Sequence, residues 1–154
     1  MQHVFDLDEY RCVSGEVLKN VKVGYETYGT LNPNGSNAIL VCHYFSGNAR
    51  AAGPADDVHE LPGWWDKAIG PGRALDTDRY FIVCSNSLAN LNASDGYSVT
   101  TGPASENPAT GKAWGLEFPL VTVEDFVHVQ KRLLEHLGIE RLVAVAGPSG
   151  GSVQ

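Results

Sequence analysis

Residues 142–154 read LVAVAGPSGGSVQ, a short apolar run that enters Gly147-Pro148-Ser149-Gly150-Gly151. A serine hydroxyl attacks a carbonyl only after a base takes its proton, and it must project into a cleft to reach one. A tight turn between a buried strand and a helix provides that projection, because small neighbours permit close backbone approach and strained dihedrals. Gly147 and Gly151 hold the two glycine positions of Gly-x-Ser-x-Gly. Ser149 therefore reads as a nucleophile, and the backbone N–H of Gly150 as one half of an oxyanion hole. Pro148 stiffens the turn and removes a donor. The competing reading is a glycine-rich turn whose serine merely caps the next helix.

Working outward, AILVC (38–42), YFIVCS (80–85) and RLVAVAG (141–147) are continuous apolar runs, the pattern of strands covered on both faces. Three of them predict a parallel sheet at the centre of an α/β domain. VLKNVKVGYETYGTLN (17–32) partly alternates and leads into the turn formers NPNGSN, so it reads as antiparallel strand and then loop. Residues 122–138, TVEDFVHVQKRLLEHLG, predict a helix: Thr122 caps it, Glu124 and Asp125 suit its positive end, and Gly138 stops it. Val123, Phe126, Val127, Leu133, Leu134 and Leu137 form the apolar stripe, broken only by Gln130. Helix, strand and glycine-rich turn in succession make a crossover onto a parallel strand.

Segments 43–79 and 86–119 lack periodicity and are dense in turn formers, which marks them as functional or poorly ordered loops rather than mere connectors. The second oxyanion donor is expected from AILVCHYFSGNA (38–49), with the backbone N–H of Phe45 as the candidate. Chain order in this type of site runs serine, acid, histidine. All five histidines, His3, His43, His59, His128 and His136, precede Ser149, so none reads as its base. His43 reads as a support for its loop, and His128 and His136 as solvated helix residues.

The composition, 43% hydrophobic and 19% charged, is that of a globular chain, and no linker or repeat divides residues 1–154 into two domains. Lys+Arg 11 against Asp+Glu 18 gives a net charge of −7 with no basic cluster, which disfavours nucleic acid and anionic membrane as partners. Cys12, Cys42 and Cys84 are an odd number without metal-ligand spacing, so neither a metal site nor a disulfide framework is expected. The acidic start MQHVFDLDEY has no signal-peptide core, and no run approaches membrane-spanning length, which reads as cytoplasmic. Asn34-Gly35-Ser36 and Asn92-Ala93-Ser94 read as plain loop residues rather than glycosylation sites.

VGYETYGTLN, ILVCH, GWWDKAIGPGRALDTDRYFIVCSN and TGPASENPATGKAWGLEFPLVTVEDFVHVQKRLLEHLGIERLVAVAGPSGG together resemble the amino-terminal half of the homoserine O-acetyltransferase family. Members of that family are α/β-hydrolase-fold acyltransferases of methionine biosynthesis. The resemblance implies double displacement: Ser149 takes an acetyl group from acetyl-CoA and passes it to the homoserine hydroxyl, while Phe45 and Gly150 donate to the oxyanion. No bound cofactor or metal is implied. The partners are small-molecule substrates, a further copy of the enzyme, and the remainder of the protein, as one gene product or a processed second chain, carrying the acid and histidine. The chain thus reads as a single partial α/β-hydrolase domain, truncated after the serine turn, with an open sheet edge, an uncovered apolar face and negligible turnover by itself.

Three stretches depart from the family pattern. ANLNASDGYSVTTGP stands where the family usually reads Gly-Gly-Cys-x-Gly-Ser-Thr-Gly-Pro, His43-Tyr44-Phe45-Ser46-Gly47 where it reads His-Ala-Leu-Thr-Gly, and Pro148 and Gly150 alter a turn that usually reads Gly-Gly-Ser-Met-Gly-Gly. These changes bear on the acyl pocket rather than on the fold. An esterase using water as acceptor shares the first half-reaction, and an inactive binding or assembly module shares only the scaffold.

Overall fold

The computed structural model describes residues 2–154. Its strands are β1 (His3–Arg11), β2 (Val17–Tyr28), β3 (Ala38–Val41), β4 (Ile69–Gly70), β5 (Leu75–Asp76), β6 (Phe81–Ser85), β7 (Glu106–Asn107), β8 (Lys112–Ala113) and β9 (Leu142–Ala146), with one α-helix, α1 (Val123–His136). Short 3-10 turns cover Gly115–Glu117 and Ser149–Val153. The main sheet has the order β1-β2-β6-β3-β9. β1, β2 and β6 pair antiparallel, whereas β3 lies parallel to both β6 and β9. The predicted parallel centre is thus joined to an antiparallel flank, giving a mixed sheet.

β3 and β6 sit inside the sheet, and Ala38, Ile39, Leu40, Val41, Ile82, Val83 and Cys84 are all buried. One face, with Leu40, Cys42 and Val83, packs under Leu133 and Leu134 of α1. The other face, with Ile39, Val41, Ile82 and Cys84, is covered by Ala51, Ala52, Ile69, Trp64 and Trp65. The long segment between β3 and β6 therefore takes the place of a crossover helix as the second layer.

β1 lies outside the strands predicted from sequence. Its Phe5 is buried and Leu7 half-buried while Asp6 and Asp8 face solvent, a one-sided pattern suited to an edge strand whose charges discourage further pairing. β9 departs from its predicted burial. Val143 and Val145 are 52% and 54% exposed, because β9 forms the other edge and pairs with β3 alone. The open edge and uncovered apolar face expected from the sequence lie here.

α1 falls within its predicted limits, with Thr122 as N-cap and Gly138 in the left-handed region at φ 73°. Its buried stripe, however, is Asp125, Val129, Gln130, Leu133 and Leu134, while Val123 is 39% exposed. The polar members are buried because they have partners. Gln130 donates to the Gln154 side-chain oxygen at 2.7 Å and lies 3.7 Å from the Cys42 sulfur. The Asp125 carboxylate accepts from the Thr122 N–H at 2.7 Å, the Val13 N–H at 2.8 Å and the Tyr10 hydroxyl at 2.8 Å.

Burial works against the charged form of Asp125, yet these donors together hold its carboxyl below the usual carboxylate range. A depressed folded-state value stabilises the fold above the unfolded value of about 3.9, and that stability is lost as pH falls through the folded value. Asp125→Ala should cost about 3 kcal/mol, since a cap is lost and the buried Tyr10 hydroxyl and part-buried Val13 N–H are orphaned. Urea midpoints from pH 7 to pH 3 check this, and a variant as stable and as acid-sensitive as the parent refutes it.

Among the described residues no helix is long and apolar enough to cross a membrane.

Candidate active site

The turn after β9 is locked to the end of β3. The Cys42 N–H donates to the Ala146 carbonyl at 2.9 Å, so the strand ends lie side by side. A Cβ on Gly147 would lie 2.8 Å from the Cys42 carbonyl oxygen, and one on Gly151 only 2.2 Å from it. Both positions therefore require glycine for close approach. Ser149 lies between them at φ 50°, in the left-handed region that a serine rarely occupies, and it is exposed. The helix-capping alternative fails on geometry. Pro148 is the N-cap of the following 3-10 turn, and no side chain makes a cap hydrogen bond. The backbone thus spends conformational energy to present the serine, the sort of strain that clusters at functional sites.

The structure brings Phe45 and Gly150 together. A Cβ on Gly150 would lie 3.1 Å from the Phe45 nitrogen and 3.4 Å from its Cα and Cβ, so the missing side chain lets the two backbones meet. The crowding at position 150 comes from the backbone and Cβ of Phe45, while the side chain of Phe45 is exposed. Among the described residues the Phe45 N–H makes no turn or loop hydrogen bond. The Gly150 N–H belongs to the first turn of a helix, where donors lack intrahelical partners.

The loop carrying Phe45 is held from behind. His43 is buried, its Nδ1 lies 2.6 Å from the Tyr44 carbonyl oxygen, and its Nε2 accepts from the Ser87 N–H at 3.2 Å. Burial pushes its pKa below the ordinary histidine value, outweighing the Tyr44 bond, so the ring is neutral at pH 7. His43 is the loop support that the sequence suggests. Asn86 accepts from the Ala49 N–H at 2.7 Å, Asn90 donates to the Gly47 carbonyl at 3.0 Å, and Asn92 donates to the Ser46 carbonyl at 3.0 Å. Sequence reasoning missed these asparagines. The available signal was their density in NSLANLN, directly after a buried strand, which reads equally well as plain loop.

The remaining histidines stand apart from Ser149. His3, His128 and His136 are exposed, and His59 pairs with Asp56 at 2.9 Å, which holds that carboxyl down to about 2. The three thiols are buried and free, and burial pushes Cys42 up to about 11. Among the described residues no group of three His, Cys, Asp or Glu could hold a metal. Beside Gly150 and Phe45 opens a largely apolar cavity of about 350 Å³, walled by Leu88, Leu91, Val121 and Phe126.

No family model matches the chain. A homoserine O-acetyltransferase of Methanococcoides burtonii is 53% identical over 146 residues, covering 95% of this chain and 29% of that relative. The crystal structure of homoserine O-acetyltransferase from Bacillus anthracis superposes with a TM-score of 0.93 at 46% identity, covering 98% of this chain and 40% of that one. An esterase crystal structure superposes with a TM-score of 0.96 at 55% identity, covering all of this chain and 42% of that one. The chain spans about a third of the length of the curated relatives it matches, from 27% to 38%. With this identity sustained along nearly all of its residues, on an α/β-hydrolase scaffold, the chain is similar to the matching third of homoserine O-acetyltransferases.

Proposed function

We propose that the protein carrying this chain is an acyltransferase that works through an acyl-Ser149 intermediate, with acetyl-CoA as donor and the homoserine hydroxyl as acceptor. The observation that carries this reading is Ser149 at φ 50°, exposed between two glycines in backbone contact with the end of β3. The Ser149 oxygen attacks the thioester carbon and loses its proton to a base, the carbonyl oxygen becomes an oxyanion facing the Phe45 and Gly150 N–H groups, and collapse expels the CoA thiol. The homoserine hydroxyl then attacks the acyl-serine by the same route in reverse, restoring Ser149 and releasing the O-acyl product.

The base and its acid lie outside residues 1–154, consistent with relatives about three times as long. The domain is completed by those residues, no cofactor is held, and the enzyme works in the cytoplasm as an oligomer within methionine biosynthesis. Hydrolysis with water as acceptor is the second reading, favoured by the similarity to the esterase structure.

The test is a fluorophosphonate label followed by partition of the acyl group. Stoichiometric modification of Ser149 in the full-length protein, with acetyl-CoA consumption yielding O-acetylhomoserine faster than acetate, is the expected result. Acetate as the main product at saturating homoserine supports the esterase, and an unlabelled Ser149 sinks both.

A further inference from the structure

The segment that departs most from the family pattern, residues 89–103, contributes a buried asparagine behind the loop that carries Phe45. Asn90 is 5% exposed. Its Nδ2 lies 3.0 Å from the Gly47 carbonyl oxygen and 3.3 Å from His43 Nε2, and its Oδ1 accepts the Asn92 N–H at 2.8 Å. We propose that Asn90 is a positioning residue: its amide fixes the His43 tautomer and the Gly47 carbonyl, and through them the direction of the Phe45 N–H. This rests on the acyl-serine reading above.

The chain of cause is short. His43 Nε2 faces two donors, the Asn90 amide and the Ser87 N–H, so that nitrogen is bare and the ring proton sits on Nδ1. The Nδ1–H then donates to the Tyr44 carbonyl, which also accepts the Gly47 N–H at 2.8 Å. The Tyr44 carbonyl and the Phe45 N–H belong to one planar trans peptide unit, so pinning the oxygen aims the N–H the opposite way. Asn90 grips the same loop a second time at Gly47, two residues beyond Phe45. Among the described residues no charged side chain hydrogen-bonds to the His43 ring, leaving the two neutral donors to set its state.

An oxyanion donor interacts more strongly with the transition state than with the substrate, so misaiming it lowers kcat and spares KM. In the full-length protein Asn90→Ala should lower kcat about 10- to 100-fold, short of the 10²- to 10³-fold typical of deleting a donor, with KM changed less than about twofold. Asn90→Asp is the isosteric variant that keeps the Asn92 bond. Its carboxylate cannot donate to His43, so ¹⁵N ring shifts should change from a neutral Nδ1–H imidazole in the parent to imidazolium at pH 7. Asn92→Ala, should Asn90→Ala fold poorly, should leave the ring spectrum of the parent in place and lower kcat by a smaller factor. An Nε2–H tautomer in the parent, an unchanged ring in Asn90→Asp, or loss in KM rather than kcat overturns the proposal. A parent whose Ser149 resists fluorophosphonate overturns the acyl-serine reading and this one with it, whereas a labelled parent and an Asn90→Ala variant labelled at the same rate overturn this one alone.

Discussion

Ser149→Gly is expected to abolish acyl transfer while leaving the protein slightly more stable than its parent. The activity loss follows from removing the only atom that can carry the acyl group, and triad enzymes deprived of their nucleophile lose on the order of 10⁶ in kcat. The stability gain follows from φ 50° at this position. A left-handed L-residue costs roughly 1–2 kcal/mol, which glycine relieves, while the greater freedom of glycine in the unfolded chain returns about 0.5–1 kcal/mol of that. The net expectation is a gain of about 0.5–1 kcal/mol, and Ser149→Ala, which keeps the strain, should change stability by less than about 0.5 kcal/mol. Urea denaturation of the three proteins, run beside single-turnover acyl transfer, measures both. A Ser149→Gly variant less stable than Ser149→Ala would show that the left-handed backbone is not a source of strain here, and residual transfer near the parental rate would remove Ser149 from the chemistry.

Gly151→Ala should be strongly destabilising and should abolish the geometry of the serine turn. Its Cβ would stand 2.2 Å from the Cys42 carbonyl oxygen and 2.9 Å from that of His43. Both are backbone atoms on the stretch that leads β3 into the oxyanion loop, so neither yields without moving Phe45. Overpacking against atoms that can shift typically costs 1–3 kcal/mol, and this site lacks that relief, so about 3 kcal/mol or more is expected. Acyl transfer should fall at least about 100-fold, because the displaced loop carries the proposed oxyanion donor. Gly111→Ala is the control: it has φ 67° but nothing within 4 Å of the added Cβ, so it should cost only about 1 kcal/mol. Equal midpoints for the two variants would sink the close-approach argument.

Local signals account for much of what the sequence reveals. β3 and β6 were readable because a strand buried on both faces must be apolar at every position. α1 was readable because its cap, acidic first turn and glycine stop agree with its periodicity. β1 was not, because a one-sided edge strand rich in acids resembles surface loop until β2 is seen beside it. Gln130 looked like a flaw in an apolar stripe, and Asp125 like a cap and nothing more. Their burial depends on Cys42, Gln154, Tyr10 and Val13, which are remote in sequence. Phe45 and Gly150 were singled out as candidates by the layout of strand and loop, whereas the asparagines that hold the loop carry no periodic signal.

By itself the sequence determined the element types of the sheet core and α1, the serine turn and its two glycines, and the candidate oxyanion residues. Each is a local pattern in which the side chains constrain their own backbone, and family resemblance reinforces it. Only the tertiary structure decided that Ser149 adopts a left-handed backbone, that Phe45 and Gly150 share one space, and that His43 is held neutral behind them. Those properties depend on contacts between segments about 50 to 105 residues apart in the chain, and a contact over such a separation exists only once the sheet has brought β3, β6 and β9 side by side.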